Sequence, residues 1–534
     1  MGFRRGRRWA LTAMVGAALA GVIGTSVVAG SASAATVTPE IAASFQKAHE
    51  ARGGATGSLG PASGGIVCSL RDSGCYQAFA GGYLLSSAST GINAVPNAVR
   101  AVWAGLRYQD GWLGYPAGDQ ECDAESGACY QPFEHGFVVG TPGTGLFATS
   151  DAFWDEWAAW GFDLGDLGLP LGNTNCGLKA GGCYQRYQGG WMFSSTPGGF
   201  RVLWDEIRTA WGAVGFENGK LGYPTGDYVC AEDGFSCTQQ FEGGQVVDSA
   251  TGTFAVPAAG LAAWNRNGGA DAMGFPTGNL ACHLRNGGCY QTFEYGHVLT
   301  STAGGARAVF PFIRDEWARN GFENGRLGYP TTEYTCGLVD GGCWQGFEGG
   351  VIIDGPVGLW TVTNAMRGAW GSTGFENGWM GYPVSSTTCS LRNGGCWQQF
   401  EGGYVLYSPA TGARVLDIPT RDMWGLAGYE NGYLGYPTTD KIGGLRGGGS
   451  WQGFQGGVMM DPPGVHWPLP MSTRMRNVWG TQGFENGVLG YPTTEEFDSA
   501  RGRMEHFSGG YIELRPDGTA LIRYSNGTSR TVRG

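Results

Sequence analysis

The stretch Trp317-Ala318-Arg319-Asn320-Gly321-Phe322-Glu323-Asn324-Gly325-Arg326-Leu327-Gly328-Tyr329-Pro330 decides how the rest of the chain is read. Close copies stand at Trp370–Pro383 and Trp479–Pro492. Its last four residues recur, with substitutions, at Leu59-Gly60-Pro61, Leu113–Pro116, Leu167–Pro170, Leu221–Pro224, Met273–Pro276, Met380–Pro383, Leu434–Pro437 and Leu489–Pro492. Successive turns start 52 to 55 residues apart. A period of that length held over nine copies is the mark of a repeat architecture, and it takes precedence over any local assignment.

Other residues keep phase with the turn. Nine or ten positions before it lies Trp103, Trp157, Trp211, Trp264, Trp317, Trp370, Trp424 or Trp479, with His49 in the first copy. After it come two Cys separated by six residues in the first seven copies, then a Gln, then an aromatic two positions on. Before each Trp the apolar spacing is helical: Ile207 and Trp211, Ile313 and Trp317, Met366 and Trp370, Met475 and Trp479 are i,i+4 pairs on one face. Such helices are too short to be stable alone. The segment Gly-Phe-Glu-Asn-Gly ends them, and its Asn-Gly is expected to take positive φ and reverse the chain. The segments around the Cys and Gln read as short strands, with hairpin tips at Asn286-Gly287-Gly288 and Asn393-Gly394-Gly395.

The expectation is an α+β repeat protein of nine units of about 54 residues, each a short helix plus a small β-hairpin and strands. One unit buries too little surface to fold by itself, so the units stack into a propeller-like ring or a superhelical array. Residues 1–34 are set apart as a signal peptide, and the array fills 35–534. Its units run approximately 39–92, 93–146, 147–199, 200–253, 254–305, 306–359, 360–413, 414–467 and 468–534. The last unit carries Tyr511–Leu514 and Ala520–Tyr524, which read as an added hairpin that caps it.

The leader has Arg4, Arg5, Arg7 and Arg8, an apolar run from Trp9, and Ala32-Ser33-Ala34 as the small-residue cleavage pattern of a secretory signal. Arg7-Arg8-Trp9-Ala10-Leu11 also resembles a twin-arginine signal, so the export route stays open. Removing it takes away four Arg and no acid, leaving 30 basic against 45 acidic side chains, a formal charge of −15. That balance does not suit nucleic acid, which is bound through basic stripes. No later stretch is apolar enough for stable membrane insertion. The predicted location is secreted, outside the cell.

Fourteen Cys form seven in-phase pairs: Cys68 with Cys75, Cys122 with Cys129, Cys176 with Cys183, Cys230 with Cys237, Cys282 with Cys289, Cys336 with Cys343 and Cys389 with Cys396. Export together with fixed spacing predicts a disulfide in each pair. The competing reading is zinc, but a spacing of six is wide for a zinc pair and no His is in phase. Gly443 and Ser450 replace both Cys together in the eighth copy, which also fits a mutually bonded pair. No metal and no cofactor is predicted.

No catalytic residue is predicted. None of the six His lies in a zincin or nucleophile-elbow context, and no Cys is left over as a nucleophile. Two carboxylates recur, Glu217, Glu323, Glu376, Glu430 and Glu485 in the Asn-Gly turn, and Glu134, Glu242, Glu294, Glu348 and Glu401 after the Gln-x-Phe. Paired carboxylates can hydrolyse glycosides. An active site is normally singular, however, and these are spread along the chain. They read either as turn caps or as a row of acceptors for sugar hydroxyls. The candidate binding residues are the aromatics Tyr76, Tyr130, Tyr184, Tyr290, Trp344, Trp397 and Trp451, and the neighbouring Gln77, Gln131, Gln185, Gln239, Gln291, Gln345, Gln398 and Gln452. Neighbours on a strand alternate between faces, so the aromatics are either sugar platforms or cross-strand packing. The helix Trp are read as core.

The combination Trp-x3-Gly-Phe-Glu-Asn-Gly, Leu-Gly-Tyr-Pro and Gln-x-Phe-x-Gly-Gly resembles the LGFP repeat of actinobacterial envelope proteins over about residues 39–525. Departures are the first turn, Leu169 in the third, and the shortened Asn265–Ala272 of the fifth. In that family the repeats are often joined to secreted mycoloyltransferases or peptidoglycan amidases and are thought to hold them on the wall by contacting its polysaccharide. The resemblance therefore implies a non-catalytic, multivalent protein bound to arabinogalactan or peptidoglycan. The alternatives are a scaffold that docks a secreted cell-wall enzyme, and, last, a wall-glycan hydrolase.

Overall fold

The structure is a computed structural model that describes residues 36–533 apart from Asp233. The expected signal peptide lies outside the described residues. Two compact units are present. One holds the residues up to Thr174 with Gln185–Gly189, the other Asn175–Tyr184 with the residues from Gly190 onward.

In the first unit the helix Pro39–Glu50 leads into a four-stranded antiparallel meander: Ala62–Val67, Cys75–Phe79, Gly82–Ser87 and Gly91–Pro96. The helix Asn97–Gly105 follows, then a second meander of Glu121–Cys122, Cys129–Phe133, Gly136–Thr141 and Gly145–Ser150, then the helix Asp151–Ala159. The second unit repeats the theme with helices Asp205–Ala213, Ala258–Arg266, Pro311–Arg319, Asn364–Ser372, Ile418–Leu426 and Thr473–Gly480, each leading to a meander. The described strands form nine sheets. The last sheet has five strands, not four. Gly510–Leu514 and Thr519–Tyr524 prove to be the ordinary third and fourth strands, and the addition is Ser529–Arg533 beyond them. The expected capping hairpin is thus corrected to a single extra strand.

Helices such as Asn97–Gly105 and Asn364–Ser372 lie between two sheets, and several sheets bury both faces. In the strand Gly403–Ser408, Val405 packs with Trp370 and Val362, whereas its neighbour Leu406 packs with Trp424 and Phe454. Alternate side chains of one strand therefore serve two different hydrophobic clusters. The predicted i,i+4 pairs are buried as expected: Ile207, Ile313, Met366 and Met475 with their Trp. Each Trp Nε1 donates to the carbonyl of the Gly in the following Leu-Gly turn, at 2.9–3.0 Å. His49 substitutes with its Nε2 2.9 Å from the Gly60 oxygen and its ring 4.4 Å from Phe79, which makes the degenerate first copy a true one.

The helix end departs from expectation. Positive φ falls not on Asn-Gly but on the Gly-aromatic pair before it: Gly215 at 98° and Phe216 at 51°, Gly428 at 89° and Tyr429 at 52°. Gly219 is extended, and it is glycine because a Cβ there would strike the Val214 carbonyl. A left-handed aromatic costs roughly 1–2 kcal/mol. The offset is packing: the ring meets the helix Trp edge-on, Phe216 to Trp211 at 5.3 Å and Tyr429 to Trp424 at 5.2 Å. Such pairs contribute about 0.5–1.5 kcal/mol beyond burial.

Successive copies are joined by a socket. The Tyr of the turn donates its hydroxyl to the hairpin tip of the preceding copy: Tyr223 to the Lys179 carbonyl at 2.6 Å, Tyr436 to that of Arg392 at 2.5 Å. The residue before the second Cys must be glycine, since a Cβ at Gly182 or Gly395 would collide with that hydroxyl. The pairs covary inside this one chain. Gly74, Gly182, Gly288, Gly342, Gly395 and Gly449 face Tyr115, Tyr223, Tyr329, Tyr382, Tyr436 and Tyr491. Ala128 and Ser236 stand at the same place where the next turn carries Leu169 and Phe275 instead of Tyr.

All seven predicted disulfides are formed. Cys68 is bonded to Cys75, Cys122 to Cys129, Cys176 to Cys183 and Cys230 to Cys237. Cys282 is bonded to Cys289, Cys336 to Cys343 and Cys389 to Cys396. Each bridge staples the strand that carries its second Cys to the strand or loop just before it. In several sheets the two Cys stand directly opposite each other, as Cys176 and Cys183, Cys230 and Cys237, and Cys336 and Cys343 do. These residues are therefore structural staples.

Candidate functional site

The glutamines proposed as ligand contacts are structural, and this corrects the sequence reading. Gln131, Gln185, Gln239, Gln291, Gln345, Gln398 and Gln452 are buried. Each amide nitrogen ties the segment entering its own sheet to the last strand of the sheet before: Gln345 Nε2 donates to the carbonyls of Thr332 (3.0 Å) and Ala308 (2.8 Å), and Gln398 Nε2 to those of Ser385 (2.7 Å) and Thr361 (3.0 Å). Both donors are spent on backbone. Gln77, in the first sheet, makes only the bond to Gly64, at 3.1 Å, and stays half-buried. The signal was present in the sequence: Cys, Gln and Phe alternate along the strand and so share one face with the core.

The recurrent carboxylates are also largely engaged. Oε2 of Glu134, Glu242, Glu294, Glu348 and Glu401 accepts the backbone N–H of Tyr115, Tyr223, Phe275, Tyr329 and Tyr382 at 2.7–2.8 Å. Glu217, Glu323, Glu430 and Glu485 are buried, each accepting at Oε1 from the amide of the following Asn at 2.7–3.0 Å. Glu376 does the same with Asn377 at 2.9 Å while half-buried. Among the described residues no three His, Cys, Asp or Glu converge as a metal site.

The aromatics fare differently. Tyr76, Tyr130, Tyr184, Tyr290, Trp344, Trp397 and Trp451 are half-buried on the opposite face from the Gln. Trp397 forms one wall of a cleft of about 280 Å³ lined by Leu391, Tyr404, Leu406, Arg421, Trp424, Tyr429, Glu430 and Asn431. That volume lies at the low end of small-molecule sites. It suits one ring, not an extended ligand. Arg421, three residues before Trp424 on the helix, lies 4.9 Å over the Tyr404 ring and 5.2 Å over Tyr429. Burial works against its charge, but the hydrogen bond to Asp422 at 3.1 Å and its other neighbours outweigh this and push the guanidinium above its ordinary value. The arginine thus lies within reach of two rings, one from the sheet and one the left-handed aromatic of the turn.

The arrangement recurs. Arg100 lies 4.3 Å over Tyr83 and 5.5 Å over Tyr108; Arg208 lies 3.9 Å over Trp191 and 5.1 Å over Phe216. Arg314 and Arg367 sit 5.5 Å over Phe322 and Phe375, and Arg476 is 5.5 Å over both Trp451 and Phe484. Sequence reasoning missed these arginines. Their signal was a charged residue at one fixed step, Trp minus three, on otherwise apolar helices. The site combines aromatic faces, in-plane N–H donors, and a carboxylate beside an amide, which are the groups that bind a hydroxyl-rich ring.

Fold and site together define a tandem repeat protein that repeats one arginine–aromatic pairing, which at Arg421 lines a small cleft. The LGFP repeat family model matches residues 59–111, 113–165, 167–219, 221–271, 273–325, 327–378, 380–432 and 434–487, and the chain belongs to that family. Eight matches accompany nine sheets because each match runs from a Leu-Gly turn to the next Asn-Gly, leaving the last sheet beyond the final one. No curated protein is a significant match. Solved structures that align include PorZ, a surface component of the type-IX secretion system of Porphyromonas gingivalis (13% identity, 86% of this chain and 56% of that one, TM-score 0.13). The extracellular domain of a one-component system of B. thetaiotaomicron aligns at 10% identity over 86% and 74%, TM-score 0.11. Virginiamycin B lyase of Staphylococcus aureus aligns at 11% over 62% and 90%, TM-score 0.09. The chain spans little more than half of PorZ, and TM-scores this low carry no argument. Seven disulfides and the family point to an extracellular protein. Among the described residues no helix is long and apolar enough to cross a membrane.

Proposed function

We propose that this is a non-catalytic, multivalent protein of the cell wall that binds envelope polysaccharide, arabinogalactan or peptidoglycan, through the arginine–aromatic clefts. The observation that carries the reading is the recurrence of the arginine–aromatic pair at a fixed sequence period, one copy of which lines a small cleft with Glu430 and Asn431. Single-ring sites are weak, and repetition on one framework converts weak sites into firm attachment when their spacing suits the polymer. The expected ring or superhelix belongs to this proposal, and small-angle scattering of the mature chain distinguishes the two. The test of function is retention of the purified mature chain on insoluble arabinogalactan and on peptidoglycan sacculi. Release from both in a simple wash would sink the reading.

A second reading, docking of a secreted cell-wall enzyme, is favoured by a different row. The residue between the Asn-Gly and Leu-Gly turns is an exposed apolar side chain at Trp112, Trp379, Tyr433 and Val488, with Trp379 51% exposed. It predicts a defined partner in envelope cross-linking that persists after the glycan is digested.

A further inference from the structure

The places equivalent to the Arg421 cleft are not all alike, and the pattern of their differences is informative. In four of them, beside Arg314, Arg367, Arg421 and Arg476, the turn carries Glu followed by Asn, at 323–324, 376–377, 430–431 and 485–486. Arg208 is accompanied by Glu217 and Asn218. Arg100 is accompanied by Gln109 and Asp110, the same amide–carboxylate pair in reverse order, with Gln109 Nε2 donating to Asp110 at 3.1 Å. At the two remaining Trp-bearing helices the arginine is absent, replaced by Trp154 and Leu261, and there the pair is absent too. One turn reads Phe162-Asp163-Leu164, with Leu164 exposed; the other is remade as the short helix Gly269–Met273.

Arginine and pair are thus kept together six times and lost together twice. Contact between them does not explain this. Among the described residues no ion pair or hydrogen bond joins Arg314 to Glu323, Arg367 to Glu376, Arg421 to Glu430 or Arg476 to Glu485. Arg314 and Arg421 pair instead with Asp315 and Asp422 beside them. At Arg421 the two line one open cleft, with Glu430 and Asn431 facing it alongside the guanidinium, so what they have in common is whatever enters that cleft. One cation and one anion in the same cleft suit an uncharged ring: its hydroxyls accept from the guanidinium and donate to the carboxylate. A phosphate or carboxylate ligand would meet the glutamate.

We propose, building on the polysaccharide reading, that the chain has six sugar sites, not eight. They lie beside Arg100, Arg208, Arg314, Arg367, Arg421 and Arg476, and each takes one uncharged sugar ring. At the third helix the place of the arginine is taken by Trp154, whose ring stacks on Phe137 at 3.8 Å and lies 5.6 Å from Tyr130 and 5.0 Å from Phe162. The cleft beside Leu261 has neither the arginine nor the carboxylate–amide pair, and has Thr238 where the others carry the half-buried aromatic. The working sites are therefore isolated near the amino terminus and form an uninterrupted run of four toward the carboxyl terminus.

Calorimetric titration of the mature chain counts the sites. The probes are short neutral oligosaccharides released from arabinogalactan and, separately, N-acetylglucosamine oligomers standing for the peptidoglycan glycan. The expected count with the probe that binds is six. Arg421→Gln and, independently, Glu430→Gln each lower it to five with unchanged far-ultraviolet circular dichroism, while Trp154→Ala and Leu261→Ala leave it at six. The triple variant R367Q/R421Q/R476Q reduces wall retention at least tenfold. A count of eight, or a count unmoved by R421Q and E430Q, overturns the six-site assignment but leaves polysaccharide binding standing. Failure of both probes and of the insoluble polymers overturns both.

Discussion

Two sheets of this molecule occupy the same place in the repeat and differ by one atom at their joint with the preceding copy. In the sheet that holds Thr388–Leu391 and Gly403–Ser408, the joint is Gln398: its amide donates to two carbonyls and its oxygen accepts from Thr387 Oγ1 at 2.8 Å. In the last sheet the residue two before the recurrent Phe is Glu505, fully buried, with no partner at either carboxylate oxygen among the described residues. Burial and the nearby Glu496 push its pKa well up. The comparison teaches that this position demands a donor. A carboxyl supplies one only while protonated, and an ionised one has nothing to pair with.

The comparison breaks most severely if the carboxyl is moved inward. Gln398→Glu should cost about 3 kcal/mol, the upper end for buried groups left without their hydrogen bonds, read as lost hydrogen-exchange protection confined to residues near 361–417; little loss would mean the joint is not held by the amide. Next, removing the staple makes the two regions alike in another respect, since the last two copies have none. Cys389→Ser with Cys396→Ser should cost about 2.5 kcal/mol by loop-entropy arithmetic, measured by denaturant unfolding of the same segment.

The reverse exchange sharpens the comparison. Glu505→Gln should stabilise the last sheet by about 2 kcal/mol at neutral pH, the worth of a buried hydrogen bond restored. The sign follows from the raised pKa. The native carboxyl keeps its proton while the unfolded one, near 4.3, releases it, so its contribution is complete below about pH 4 and is lost as pH rises from there toward the raised folded value. The gain from E505Q must therefore shrink as the pH is lowered toward 4; a pH-independent gain would refute the account. Smallest is the socket. Tyr436→Phe should cost about 1 kcal/mol, and Leu169, which already lacks a hydroxyl, marks an interface where no such loss is available.

Much of this is legible in the residues alone. The period, the helix Trp as core, the first copy with His49 in the Trp place, and the seven cysteine pairs all follow from residues at constant spacing, and local spacing survives folding unchanged. The joints are not legible in the same way. The glutamines read as ligand contacts because a polar residue beside an aromatic on a strand usually marks the wet face, and here both faces of the sheet are covered. Alternation then separates two cores instead of separating core from solvent.

The sequence by itself determined the unit: its length, its short helix, its meander, its staple and its copy number. Only the tertiary structure decided what the units share, because those contacts join residues far apart in the chain. Gln345 reaches Ala308, Tyr436 reaches Arg392, and Arg421 meets Tyr404 from the sheet before it and Tyr429 from the turn after it. A repeat period specifies what each copy contains. Which of those side chains meet in a cleft depends on how one copy packs on the next.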